Sequence, residues 1–366
     1  MAELLDRIAQ KVQQQERITR DEALELFGVS DVIRLGRLAD QVKRRRWSNR
    51  AHFVINRQIN PSNVCVLSCR FCDFATKRGR PNAYEMTIAE ITARCSDELR
   101  EVHIVGGLHP DWKWSYYIEM FKAIKERVPH IQIKAWTAVE IDFFSKKFRL
   151  SVEQVLQQLQ AVGLTALPGG GAEVFSERVR KALFPFKIGA PRWLEIHRIA
   201  HRMGIPTNST LLYGHMETYE ERVDHMLKLR DLQDEAEGFM SFIPLAYQPG
   251  KTQVVTRQAP ATEDLKMVAI ARLFLDNIPH IKAYWVTLGE ESASVALHFG
   301  ADDIDGTIGE EKIMHAADAP SPVSMTRMHL VELIKEAGCL PVERDAVYRT
   351  IQIYDDHAHC ESPVSQ

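Results

Sequence analysis

From residue 87 onward, short apolar or β-branched runs alternate with longer stretches whose apolar positions recur at helical spacing. Capping signatures mark many of the helical stretches. Thr87 with Glu90 predicts a helix over 87–99, and Thr218 with Glu221 one over 218–234. Ser151 with Gln154 opens another, and further helices are predicted over 116–128, 193–203, 262–276 and 293–299. Between them, strands are predicted over 102–105, 131–136, 164–167, 207–212, 238–242 and 281–286, with a weak one over 302–305. Upstream, Thr19 with Glu22 opens a helical run that continues through Val32, Leu35 and Leu38, giving an N-terminal helical layer over 1–48. A first strand over 53–59 then leads into a loop containing three cysteines.

About eight strand–helix alternations imply parallel strands joined by right-handed crossovers, hence a closed barrel or an open doubly wound sheet. No G-x-G-x-x-G follows the first strand, so the dinucleotide-binding open sheet loses support. The expected fold is therefore an α/β structure, a (β/α) TIM-type barrel over 49–320. The C-terminal part, 321–366, is expected to carry one amphipathic helix over 325–335 and a polar tail, packing on the barrel without forming an independent domain.

The two-residue period of strands assigns faces. In 131–136, Ile131, Ile133 and Ala135 suit the helix side, leaving Gln132, Lys134 and Trp136 for the lumen. By the same reasoning His103, Lys282 and Tyr284 point inward, and Thr207 to Thr210 is polar on both faces. Ordinary barrels fill the interior with Val, Ile and Leu, so this pattern predicts a hydrated chamber for a polar, anionic ligand.

Composition narrows the class. Apolar residues at 45% and charged residues at 26% are those of a globular enzyme, and a net charge of −3 gives no reason to expect nucleic acid or an anionic membrane as partner. The first 27 residues carry charges throughout, and no run of about eighteen apolar residues occurs anywhere. A cytoplasmic location is expected, where six cysteines stand as thiols or metal ligands.

Cys65, Cys69 and Cys72 follow a C-x3-C-x2-C spacing. A structural zinc site wants four protein ligands, and no second pair completes one. Three thiolates in one loop suit a cubane iron–sulfur cluster with one iron left open; the blander reading, small buried core residues, accounts poorly for three cysteines in eight positions. Cys95, Cys339 and Cys360 read as ordinary thiols. Gly106 and Gly107 leave the second strand, and Gly169 to Gly171 precede Glu173. Each run either lets backbone approach a ligand or forms a plain tight turn. The second could present amides to a carboxylate at a helix N-terminus.

The cysteine loop, with Phe71 before its last cysteine and set after the first strand of an alternating barrel, resembles the radical S-adenosylmethionine (SAM) superfamily. The resemblance implies a 4Fe-4S cluster on Cys65, Cys69 and Cys72 whose open iron chelates SAM. It also implies a glycine motif at Gly106 and Gly107 that contacts the methionine amino group, although Leu108 stands where many members carry an acid. Six stretches narrow the match: 103–110 (H-I-V-G-G-L-H-P), 134–140 (K-A-W-T-A-V-E), 167–173, 212–217, 276–282 and 299–307. They resemble the aminodeoxyfutalosine synthase family of menaquinone biosynthesis by the futalosine pathway. That resemblance implies a transferase using SAM as co-substrate, adding its 5'-deoxyadenosyl group to 3-((1-carboxyvinyl)oxy)benzoate, with rearrangement and decarboxylation, to give 6-amino-6-deoxyfutalosine. The related cyclic dehypoxanthinyl futalosine synthases, which abstract hydrogen and close a ring, are the alternative; a non-catalytic metal-binding module is the rival from another class. The expected contacts to the substrate carboxylates are Lys134, Lys282, His103 and His215, with Glu173 on the ribose or methionine of SAM. A flavodoxin or ferredoxin is the expected electron donor.

Overall fold

The computed structural model describes residues 2–355. The strands are β1 (Arg50–Val54), β2 (Asn56–Ile59), β3 (Glu101–Ile104), β4 (Gln132–Ala135), β5 (Leu164–Ala166), β6 (Thr207–Tyr213), β7 (Phe239–Ala246), β8 (His280–Ile281), β9 (Asp303–Gly306), β10 (Leu340–Arg344) and β11 (Thr350–Ile353). The single strand expected over 53–59 is broken at Ile55: its lower half, β1, pairs with β9, and its upper half, β2, pairs with β3. All neighbouring pairs from β2 to β5 and from β6 to β8 are parallel, and the bridges Leu167 to Thr207 and Lys282 to Asp303 join the remaining gaps. Counting β1 with β2 as one strand and β3 to β9 as seven, the ring has eight strands and closes on itself. Closure puts the cysteine loop, which follows β2, on the C-terminal rim.

Local chemistry explains the helices. The expected capping boxes form at Thr19/Glu22, Thr87/Glu90, Ser151/Gln154 and Thr218/Glu221, each N-cap side chain meeting the N3 amide while the N3 side chain reaches back. Helices Ala2–Gln14, Arg20–Phe27 and Val32–Trp47 make the N-terminal layer, lying against helices Tyr219–Glu235 and Ala261–Phe274. No helix among the described residues is long and apolar enough to cross a membrane.

Several expectations are corrected. The helix from Thr87 stops at Thr92, because 94–98 (R-C-S-D-E) offers almost no apolar face to bury. The strand over 281–286 ends at Ile281 and gives way to a short helix, Trp285–Leu288, with Trp285 fully buried. Trp136 does not face the lumen. Its backbone turns left-handed (φ 63°), which breaks the alternation, and its ring packs edge-on against Tyr117 and Phe144 of the helical layer. The tail is not merely a helix with fraying residues. After helix Arg327–Glu336, β10 pairs in parallel with β1, and β11 folds back on it as an antiparallel hairpin. The sequence of β10, L-P-V-E-R, hides a strand behind a proline and two charges. Cys360 lies outside the described residues.

The polar lumen predicted from strand periodicity is a self-neutralising charge layer. Lys134 Nζ lies 2.7 Å from Glu101, Lys282 Nζ lies 3.1 Å from Asp305, and Arg344 Nε, delivered by β10, lies 2.6 Å from Asp303. Three acids thus meet three bases, all buried. Burial opposes the Glu101 charge, but Lys134 together with Arg344 and Lys282 outweighs it and holds the carboxyl below its ordinary value. Breaking such a pair strands a charge in low dielectric. Lys134→Met is therefore expected to cost about 3–5 kcal/mol in denaturant unfolding, and Lys134→Met with Glu101→Gln to recover much of that loss.

Candidate functional site

The three-cysteine loop is fixed from both sides. Cys65 N–H donates to Thr76 O (2.9 Å) and Val66 N–H to Leu108 O (3.0 Å), tying the loop to the end of β3, while Arg70 N–H donates to Leu183 O (2.7 Å). Lys77 Nζ donates to the carbonyls of Cys65, Val66 and Leu67 at 2.8 to 3.0 Å, gathering three acceptors that the loop's shape leaves unpaired. Glycine is required beside it. A Cβ on Gly107 would lie 2.3 Å from Val64 O, so only a residue without a side chain lets β3 pass this close to the loop.

All three cysteines line a cavity of about 280 Å³ at the C-terminal rim, together with Gly106, Gly107, Gly169 to Gly171 and Glu173. Phe71, Phe74, Leu212, Leu245 and Tyr247 supply apolar wall, and Gln58, His103, Asn208, Thr210 and Tyr284 supply polar groups. Five carboxylates also reach the lining, and most are already answered. Glu173 pairs with Lys187 at 2.5 Å and Asp305 with Lys282. Glu311 accepts from Gln58 (3.1 Å) and from the amides of Ile313 and Met314 (2.7 Å each). Asp73 accepts from the Lys251 amide at 3.0 Å. Glu140 accepts from the amides of Gly106 (3.0 Å) and Thr137 (2.7 Å) but has no cation beside it, and burial pushes its carboxyl up to about 7 against those hydrogen bonds.

The donor set fits a cluster better than a single ion. Among the described residues, one trio of His, Cys, Asp or Glu has its ligand atoms within 4.8 Å of one another: His52, His280 and Asp302, where Arg272 already supplies the positive charge. The three cysteine sulfurs do not all lie within that distance of one another, which suits a multi-iron cluster better than one small ion. Burial pushes the Cys69 thiol up to about 11 and raises Cys72 as well, with the Lys187 charge acting in the opposite sense on both. Burial likewise opposes the charge of Lys187, but Glu173 and the cysteines outweigh it and keep the ammonium protonated. Its Nζ stands 5.2 Å from the Phe71 ring centroid and 5.7 Å from that of Phe184. Soft donors, a fixed cation and a glycine-lined approach are what an anionic iron–sulfur centre needs.

The structure brings Cys65, Cys69, Cys72, Gly106, Gly107, Glu173 and His103 to one cavity. Lys134 and Lys282 lie outside its lining, paired with internal carboxylates. His215 is buried, and its Nδ1 is 3.1 Å from Glu217 while Nε2 meets Leu212 O. No helix starts at Ala172; the chain runs on to Ser176, which caps helix Glu177–Leu183, and Glu173 takes a left-handed conformation (φ 50°). Gly169 instead permits a close crossing, since a Cβ there would lie 2.5 Å from Ser209 Cα. Sequence reasoning missed Lys187 and Glu140. Lys187 lies in the loop after helix Glu177–Leu183, where no periodicity marks it. Glu140 was detectable: Thr137 with Glu140 is a capping box, opening helix Ala138–Phe148.

The comparisons with known proteins agree with this geometry. The Radical SAM superfamily model matches residues 59–229, and the CofH/MqnC C-terminal region model matches 236–357. An aminodeoxyfutalosine synthase of Thermus thermophilus is 45% identical over 95% of this chain and 96% of its own, and one of Streptomyces coelicolor 42% identical over 97% of each. A cyclic dehypoxanthine futalosine synthase of Streptomyces coelicolor is 39% identical over 94% of this chain and 88% of its own. Among solved structures, a methylornithine synthase superposes with a TM-score of 0.72 at 17% identity, covering 91% of this chain and 97% of its own. The FeFe-hydrogenase maturase of Carboxydothermus hydrogenoformans gives 0.72 at 18%, covering 95% and 81%. At such identities these two speak for the fold alone.

Proposed function

This chain belongs to the radical SAM superfamily and, within it, to the aminodeoxyfutalosine synthase family, and on that premise we propose that it joins the adenosyl group of SAM to 3-((1-carboxyvinyl)oxy)benzoate. The reaction releases methionine and the enol ether carboxyl group, as carbon dioxide or bicarbonate, and yields 6-amino-6-deoxyfutalosine for menaquinone biosynthesis. The observation that carries the reading is the relation itself: relatives with this activity match at 45 and 42% across nearly the whole chain, ahead of the cyclising enzyme at 39%.

Cys65, Cys69 and Cys72 would hold a 4Fe-4S cluster, which supplies the electron that cleaves the sulfonium of SAM. Gly106 and Gly107 offer close backbone approach to the methionine moiety, and Glu173, oriented by Lys187, faces the same space. Glu140, which accepts from the Gly106 amide and lines the same cavity, would face the ammonium of the methionine moiety and supply the acid that Leu108 lacks. The apolar wall of Phe71, Phe74, Leu212 and Leu245 surrounds an aryl ring and excludes water from a reactive carbon radical. His103 is the one carboxylate contact of the four expected that lines the cavity, and burial drives its pKa down to about 4, so it meets the substrate as a neutral donor. Lys134, its register partner on β4, and Lys282 are each answered by an internal carboxylate, so the substrate carboxylates are left to His103 among the four expected contacts. An electron carrier of flavodoxin or ferredoxin type supplies the reducing equivalent, and we place the enzyme in the cytoplasm.

The test is an anaerobic incubation of the reconstituted, reduced enzyme with SAM and either the aryl enol ether or dehypoxanthinyl futalosine. Consumption of the first alone, with one methionine per product, is expected; turnover of the second would transfer the chain to the cyclising reaction. His103→Leu is expected to raise KM for the aryl enol ether by about 10–100-fold, the loss of one hydrogen bond to a charged group, with SAM binding unchanged. Equal KM values would remove His103 from substrate contact.

Glu140 also sets a pH dependence. Its carboxyl rises from 4.5 in the unfolded chain to about 7 in the folded one, so the folded state binds the extra proton in that interval. Stability is then full below about 4.5 and falls as pH rises toward 7, by roughly 3 kcal/mol in all. Thermal melts of Glu140→Gln across pH 5 to 8 should lack that slope, and an identical slope would show the carboxyl to be ionised throughout.

A further inference from the structure

Cys69 and Cys72 each face two spaces. Inward they line the cavity; outward they line a separate cleft walled by Arg70, Lys77 and Arg80. Only the loop itself therefore stands between solvent on this side and the three-thiol site. The outer face carries exposed Arg70, Lys77, Arg78 and Arg80. Arg78 is answered by Asp111 at 2.8 Å, whereas Arg70, Lys77 and Arg80 have no carboxylate partner among the described residues. Three exposed cations without a carboxylate partner on one small face give it local positive charge on a chain whose net charge is −3. Beside it, Arg70 is bonded through its amide to Leu183 O, and the turn beyond carries Phe186, 77% exposed. Val66, 45% exposed, adds a second apolar group on the loop. A basic rim around a few exposed apolar side chains is the composition of a small, transient protein contact, in which charge steers encounter and apolar groups give the brief contact area.

We propose that this outer face of the cysteine loop is the docking surface for an acidic one-electron carrier protein. The inference rests on the reading of the three thiols as a cluster site. One electron leaves the reduced carrier, which is oxidised by one unit, and enters the cluster; no bond in the protein forms or breaks. Lys77 is not free to swing toward a partner, because its ammonium holds three loop carbonyls, whereas Arg70 spends only Nη1 on a carbonyl, Ala182 O at 3.4 Å, so Arg80 and the remaining donors of Arg70 carry the recognition.

The experiment uses reconstituted full-length holoenzyme and follows bleaching of cluster absorbance in stopped flow, with prereduced flavodoxin of net negative charge as one reductant and dithionite as the other. Arg70→Glu/Arg80→Glu is expected to slow reduction by flavodoxin about tenfold or more at low salt and to flatten its salt dependence, leaving dithionite reduction unchanged. Arg80→Glu alone should show a smaller loss of the same kind, and serves if the double variant takes up less cluster. Equal flavodoxin rates in variant and parent, or equal losses with both reductants, would overturn the proposal. Cluster reduction is read without product, so an error in the substrate assignment leaves this result standing, and dithionite-driven turnover checks that assignment separately.

Discussion

Cys72→Ala is expected to lose the brown colour of the reconstituted protein and to reduce product formation below detection, while thermal unfolding of the colourless forms of variant and parent stays within about 1 kcal/mol. Cys65, Cys69 and Cys72 stand on a loop whose backbone is held by Thr76, Leu108 and Leu183, so the loop keeps its shape without the sulfur. The half-buried thiol contributes little to packing, and two remaining thiolates cannot fix a cubane. The chemistry belongs to the cofactor, and positioning groups cannot replace it. Cys95→Ala is the control, a fully packed thiol that donates to Ile91 O and plays no part in the cavity. Iron and sulfide analysis with absorbance spectroscopy checks both variants; full cluster content in Cys72→Ala would refute the three-thiol assignment.

Gly107→Ala is expected to act almost as strongly through geometry alone. The added Cβ would meet Val64 O at 2.3 Å and Val64 C at 2.7 Å, both backbone atoms that cannot rotate aside. The loop must shift, and with it the hydrogen bonds that tie Cys65 and Val66 to their neighbours. Overpacking of this kind costs about 1–3 kcal/mol, and here the strain falls on the cysteine loop. Lower cluster content after reconstitution and a lower melting temperature are expected together. Unchanged cluster content with weakened SAM binding would instead make ligand contact the reason for the glycine. Gly170→Ala is a gentler comparison, since its Cβ meets only a Thr137 methyl at 3.2 Å.

These results also mark where the sequence was legible. Capping boxes at Thr19, Thr87, Ser151 and Thr218 are local devices and formed as read. Period-two alternation placed His103 at the cavity, because strand geometry decides which way it points; Tyr284 also lines it, although the strand ends at Ile281 and the residue stands at the start of the helix Trp285–Leu288. It failed at Trp136, where a left-handed residue ends the alternation. It could not tell a lysine facing ligand from one facing a buried acid, and Lys134 and Lys282 proved to be the second kind. Their partners Glu101 and Asp305 are distant in sequence, and Arg344, which completes the layer by pairing with Asp303, arrives on a strand whose proline and charges disguise it. Lys187 was invisible for the same reason: its pairing with Glu173 depends on how a loop returns to the rim, which no periodicity records.

The central claim is that the adenosyl group becomes part of the product. Incubating the reduced holoenzyme anaerobically with SAM labelled in the adenosyl moiety and 3-((1-carboxyvinyl)oxy)benzoate separates the two outcomes by mass. Label in a decarboxylated adduct, equimolar with released methionine, is the predicted result; label recovered as free 5'-deoxyadenosine in stoichiometric amount would contradict it.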